Sequence, residues 1–182
     1  FRSVANLPIA DKTVSNYLAY LEDAFLVDKA KRYDVKGKKY LSTPSKYYFT
    51  DLGLRNATLN FRQQEENHIM ENIIYLELLK RGFAVDVGIV ETAKRNDGKV
   101  VRNYAEVDFV ANRGNNKFYI QSAFAMDSEE KQAQEKNSLL NIKDFFKKII
   151  VVKDDIKRKR DENGIVTMSI YDFLLDETSI EY

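Results

Sequence analysis

The stretch Tyr104-Ala-Glu-Val-Asp-Phe-Val110 carries two carboxylates two residues apart. In a strand, Glu106 and Asp108 point to one face, with Val107 and Phe109 on the other. Neighbouring carboxylates repel, and neither can relieve the other. A divalent cation relieves both, and Mg²⁺ favours one or two carboxylates completed by water and phosphate. The plainer alternative is an edge strand with a solvated acidic face, and on these residues alone it is the better reading. A third carboxylate, Glu71, sits in a long helical segment over 65–81. At 100° per residue Glu77, Lys80 and Arg81 form a solvated side, while Glu71 falls opposite with His68, Asn72, Tyr75, Leu78 and Leu79. A carboxylate facing a core is costly without a partner, a metal or a cleft. The alternatives are a buried glutamate satisfied by hydrogen bonds, or a first-turn acid favoured by the helix dipole.

Other chemistry is excluded by composition. The chain has no cysteine, which removes disulfides, thiol nucleophiles and cysteine-rich zinc sites. A single histidine, His68, leaves no room for a multi-histidine metal site or a hydrolase triad. The 29 basic residues stand against 28 acidic ones, so any affinity for DNA must come from a local cluster. No apolar run reaches transmembrane length and no signal peptide is visible, so no membrane partner is expected. The chain does not begin with Met, and a cytoplasmic fragment of a longer protein is the expectation.

The elements that must position these residues follow from periodicity. Ala5 to Phe25 reads as a helix with Asp11 as N-cap and Val14, Leu18, Leu21 and Phe25 at helical spacing. Extended runs at 26–35 and 46–50, with a turn containing Gly37, read as a hairpin. Asp51 caps a short helix. The long helix ends at Gly82. Strands follow at 84–92, 100–112 and 117–125, with a turn at 95–98, then a helix capped by Asp127 or Ser128, with Phe145 and Phe146 in a short continuation. Ile149-Ile-Val-Val152 reads as a strand buried on both faces, and Val166–Ile170 as a last strand before a short helix. The expected fold class is α/β (α+β): a winged-helix-like unit over 1–60, then an α/β sandwich with a mixed central sheet over 61–182.

The basic hairpin gives the first unit a candidate ligand. Lys29, Lys31, Arg32, Lys36, Lys38, Lys39 and Lys46 face only Asp28 and Asp34, with tyrosines interleaved. Such a cluster attracts phosphates regardless of sequence. On the preceding helix the apolar stripe leaves Lys12, Ser15, Asn16 and Tyr20 outward as candidates for base readout. Double-stranded DNA is the candidate partner. A solvated hairpin used for packing against another domain is the even alternative.

A helix acid, a strand Asp, and an acid-x-Lys about a dozen residues later form the arrangement of PD-(D/E)XK nucleases, where two carboxylates hold Mg²⁺ and lysine positions water. The chain also resembles the C-terminal region of a prokaryotic AAA-type ATPase family, whose tail is a domain of unknown function with a restriction-endonuclease-like core. The stretches carrying the likeness are Lys12–Leu18, Tyr20–Phe25, Lys46–Asn56, His68–Asn72 and Glu106–Val110. The resemblance implies a winged-helix part, a nuclease-like part, and an upstream nucleotide-binding domain. It places the metal-binding or catalytic acids at Glu71 and Asp108. Gln121 stands where the second metal carboxylate belongs and Ala123 where the lysine belongs, with Lys117 or Lys94 as substitutes. No G-x-x-x-x-G-K-[S/T] occurs, so ATP belongs only to the upstream domain, and Mg²⁺ is the one candidate cofactor here. The expected function is a degenerate, non-catalytic nuclease-like module that helps an ATPase engage DNA or a protein partner. An active Mg²⁺-dependent DNA endonuclease and a purely protein–protein scaffold are the alternatives.

Overall fold

The computed structural model describes residues 10–62, 65–96 and 99–181, with the backbone alone at 93–96 and 99–101. Helix α1 (Asp11–Asp23) precedes strands β1 (Val27–Ala30), β2 (Arg32–Asp34), β3 (Lys39–Tyr40) and β4 (Lys46–Phe49). Helices α2 (Leu52–Thr58) and α3 (Glu66–Lys80) lead to β5 (Ala84–Asn96), β6 (Lys99–Arg113) and β7 (Asn116–Ala123). Helix α4 (Glu129–Leu140), strands β8 (Lys147–Val152), β9 (Lys159–Arg160) and β10 (Val166–Ser169), and helix α5 (Ile170–Leu175) complete the described order. The molecule is a mixed α/β protein with one large mixed sheet, ordered β3-β2-β5-β6-β7-β8-β10-β9. Pairs β2/β5, β7/β8 and β8/β10 are parallel, and the rest of the sheet is antiparallel. Among the described residues no helix is long and apolar enough to cross a membrane.

Three layers result. One sheet face packs on α3 and α5 through Ile74, Leu78, Phe109, Ile120, Val151 and Phe173. The other packs on α4 through Val107, Val110, Tyr119, Ile150, Val152 and Leu139. Strand β8 supplies Ile149 and Val151 to one side and Ile150 and Val152 to the other, as its unbroken apolar run requires. Helix α3 stops where Gly82 takes φ +77, with Gly82 N–H bonded to Leu79 O and Phe83 N–H to Leu78 O.

Several expectations are corrected. The run 26–35 is not one strand of a hairpin with 46–50. It divides at Lys31: β1 pairs with β4, while β2 pairs with β3 and runs parallel to β5. The division lets Val87 N–H bond Lys31 O and brings a strand from the first sixty residues into the large sheet. Asp11 does not cap α1; it lies in the first turn, and Ala10 is the cap without a side-chain bond. Residues 5–9 of the expected helix and 97–98 of the expected turn lie outside the described residues. Arg81 is not solvated. Its guanidinium is buried, bonded to Glu77, Ser179 Oγ and Phe173 O, and stacked 4.5 Å from the Phe173 ring. Phe145 and Phe146 do not continue a helix, and their side chains are exposed ahead of β8.

A bulge governs the face that matters. Asp86 opposes Val110 and Gly88 opposes Val107, so β6 fits Asp108 and Phe109 against Val87 alone. The extra residue turns Phe109 onto the α3 side, against Tyr48 and Tyr75, while Val107 stays on the α4 side. The simple alternation that set Phe109 beside Val107 therefore fails. Gly88 makes room for this, since a Cβ there would lie 2.9 Å from Val110 Cγ2 and 3.1 Å from Val107 Cβ. Gly88→Ala should cost about 1–3 kcal/mol by overpacking, read as a lower urea midpoint with unchanged m-value.

Candidate functional site

Period two in β4 puts Lys46 and Tyr48 on one side of the strand, facing α3. Both reach Glu71: Lys46 Nζ lies 2.8 Å and Tyr48 Oη 2.7 Å from Glu71 Oε1. The next helix residue, Asn72, accepts from Phe49 N–H at 2.9 Å and donates to Phe49 O at 2.8 Å, so its amide acts as a strand edge for β4. One turn on, Tyr75 donates to Asp28 and stacks 4.1 Å from Tyr48. The residues at 71, 72 and 75 thus share one face of α3 and bind the β1/β4 ribbon.

The same ammonium meets the acid pair of β6. Lys46 Nζ is 2.7 Å from Glu106 Oε1 and 3.4 Å from Asp108 Oδ1. Glu106 uses its other oxygen on Arg32, at 2.8 Å, whose Nε donates to Pro44 O. Asp108 Oδ2 accepts Ser122 N–H at 2.9 Å, beyond the last paired residues Phe109 and Ile120. Three carboxylates from a helix and a strand therefore converge on one lysine. A cleft of about 250 Å³ bounded by Lys46, Tyr47, Arg55, His68 and Glu71 opens beside it.

The electrostatics follow from burial and charge. Burial pushes the Asp108 carboxyl up, and the nearby Glu71 charge adds to it, against the pull of Lys46; the result is about 7. Burial alone would lower the Lys46 ammonium, but the charges of Asp108 and Glu71 outweigh it and hold the group above the ordinary lysine value. Burial and then Glu71 raise the Tyr48 hydroxyl, so it stays a proton donor.

The site residues expected from sequence are distributed unevenly. Glu71, Glu106 and Asp108 come together. Gln121 does not join them: its Oε1 faces Asp108 N–H at 3.4 Å, and it lies beside Glu135 of α4. Ala123 is buried with Tyr119 and Leu139 on the α4 side. Lys117 sits over the rings of Tyr33 and Phe146, and the Lys94 side chain lies outside the described residues. Of the hairpin cations, Lys46 and Arg32 are consumed by carboxylates, which corrects their expected place on a DNA-facing surface. Lys36 pairs with Glu91 at 3.0 Å and remains largely exposed. Lys38 and Lys39 are exposed at the turn, as are Lys31, Lys12, Ser15 and Asn16, while Lys29 is half-buried. Ser15 Oγ is bonded to Asp11 O, and Ser15 and Lys29 line a groove between α1 and the segment 42–47. Sequence reasoning placed Lys46 on the DNA-facing hairpin and missed it as the partner of the three acids. Its signal was the same-face spacing with Tyr48, hidden by its place in a basic run.

The donor set does not fit a resident Mg²⁺. The point to which the carboxylates converge holds an ammonium, Gln121 is turned away, and among the described residues no group of three or more His, Cys, Asp or Glu side chains is disposed to hold a metal ion.

Comparison with known proteins leaves the activity open. A family model described as a domain of unknown function (DUF8612) matches residues 1–65. The chain is 36% identical over 169 residues, 93% of its length, to an uncharacterised protein of Haemophilus influenzae. It is 31% identical over 140 residues, 77% of its length, to an uncharacterised protein of Methanocaldococcus jannaschii. It spans 38% and 29% of these two relatives. No solved structure matches it.

Lys46→Met should leave three carboxylates without their shared cation. Breaking a buried pair costs about 3–5 kcal/mol, and partial exposure reduces this to about 2–3 kcal/mol. Calorimetry should show a fall in Tm of roughly 5–10 °C, partly restored by adding Glu71→Gln. Asp108 predicts a pH effect of definite sign. Its folded value lies above the unfolded 3.8, so its contribution is complete below that value and is lost as pH rises through about 7. Urea titrations from pH 5 to 8 should show parent stability declining relative to Asp108→Asn, by at most about 1.4 kcal/mol per pH unit.

Proposed function

We propose that this chain is a degenerate, non-catalytic nuclease-like module with a winged-helix part, which engages double-stranded DNA for an AAA-type ATPase domain carried elsewhere in a longer cytoplasmic protein. The observation that carries this reading is the Lys46 ammonium held within 2.7–3.4 Å of Glu71, Glu106 and Asp108. The amine balances the acids where a nuclease of this kind would hold its metal. It also donates to all three, so it is not free to activate water.

The winged-helix part of the reading rests on α1, followed by the β1/β4 ribbon with the β2–β3 turn set between its two strands. The turn is built for exposure. Asp34 Oδ1 accepts the N–H groups of Lys36 and Gly37, and a Cβ at Gly37 would meet Asp34 Oδ2 at 2.3 Å. Lys38 and Lys39 are thereby presented beside Lys36 at one end of the sheet, where a phosphate backbone can reach them. More than half of each matched relative lies outside the shared region, which leaves room for an ATPase domain.

A second reading, a protein-binding scaffold, is favoured by α1. Its stripe of Tyr17, Leu21 and the following Phe25 is exposed, Phe25 by 83%.

Fluorescence anisotropy on duplex DNA across a salt series separates the readings. The expected result is binding at low salt that falls steeply with salt, and Lys38→Glu with Lys39→Glu should lower the log–log slope by about two. No Mg²⁺-dependent cleavage should accompany it. Absence of duplex binding at low salt favours the scaffold. Cleavage abolished by Asp108→Ala would establish the endonuclease alternative instead.

A further inference from the structure

At one end of the large sheet, cations and aromatic rings are interleaved across three strands and a loop. Lys31 Nζ lies 5.6 Å from the Tyr40 ring, and Tyr40 meets Tyr33 edge to face at 5.7 Å. Lys117 Nζ then stands 5.6 Å from Tyr33 and 5.3 Å from Phe146. The row therefore crosses from β2 and β3 to the loop before β8, although these segments are far apart in sequence. Beside Phe146, the Phe145 side chain is fully exposed and touches the same surface depression, of about 340 Å³, as Lys147, Lys148 and Arg160.

We propose that this row is a platform for single-stranded DNA, with bases stacking on Phe145, Phe146 and Tyr40 and the phosphates running past Lys117, Lys148 and Arg160. Three features point to this occupant. First, Phe145 and Phe146 are costly to leave in water on a folded surface, and they occupy a loop that Asp144 fixes by accepting Phe146 N–H. Second, the cations at this end are concentrated: burial and then the charges of Arg158 and Arg160 push the Lys147 ammonium down. Among the described residues no ion pair is found for Lys117, Lys148 or Arg160. Such a cluster is complementary to a polyanion. Third, the rings are interleaved with the charges rather than forming one apolar patch, the pattern that suits bases and phosphates together. A duplex hides its base faces and cannot use the rings. An acidic peptide would use only the charges.

The choice of DNA over RNA rests on the duplex reading above; the platform itself does not. The test is anisotropy of the full chain with labelled oligo-dT of about 15 nucleotides, beside a duplex of the same length, oligo-rU and poly-glutamate. Oligo-dT should bind at low salt. Phe145→Ala with Phe146→Ala should weaken it at least tenfold while leaving duplex binding and Tm in place, because both side chains are exposed. Lys117→Ala should lower the oligo-dT salt slope by about 0.7. No oligo-dT binding, or binding indifferent to loss of both phenylalanines, overturns the platform. So does poly-glutamate binding of equal strength. Tighter binding of oligo-rU overturns the assignment to DNA. Loss of duplex binding alone, in the Lys38 and Lys39 variants, bears on the earlier reading and not on this one.

Discussion

One ammonium holds together three parts of the molecule that lie well apart in sequence. Lys46 comes from the ribbon, Glu71 from the long helix, and Glu106 and Asp108 from the sheet. Glu106 also pairs with Arg32, but among the described residues Lys46 is the one cation paired with Glu71 and Asp108. Two of the acids lie two residues apart in one strand, and the third faces them from a core-packed helix. Burying such a group of like charges without a counterion costs several kcal/mol per charge. The lysine relieves all three and in doing so fixes β4 on α3, where the Asn72 amide then completes the strand edge.

The bulge in β6 is the second condition, because it decides which side chains share the site. It places Phe109 with Asp108 on the α3 side, under the stacked Tyr48 and Tyr75. The apolar rings shield the carboxylates from water, and that shielding raises Asp108 toward neutrality. The parting of β7 from β6 after Ile120 frees Ser122 N–H for the same carboxylate. Charge, packing and strand register therefore meet at a single residue. A change in any of them reaches the other two.

Much of this architecture was legible in the sequence, and the reasons differ by element. Strand β8 was plain from its apolar run, the end of α3 from Gly82, and the start of α2 from Asp51, which accepts Leu54 N–H. The acid face was legible from the spacing of Glu106 and Asp108, and the inward side of α3 in part, from Glu71, Asn72, Tyr75 and Leu78, although His68, which the same spacing sets with them, is exposed. Lys46 was not, because its partners lie 25 and 62 residues away and its neighbours in sequence are other cations. Phe109 was misplaced because a bulge leaves no mark in a strict two-residue alternation. Arg81 was read as solvated because its buried partners, Phe173 and Ser179, come from the far end of the chain. Local periodicity finds elements and faces. It does not find which distant cation will settle among which acids.

The central claim is that Lys46 fills the place a divalent cation would take. The most direct measurement is the electron paramagnetic resonance signal of free Mn²⁺ during titration into the full chain at neutral pH. The account predicts a signal that grows as it does in buffer, alike for the parent and Asp108→Asn. Uptake of one Mn²⁺ per chain by the parent, lost in Asp108→Asn, would contradict it.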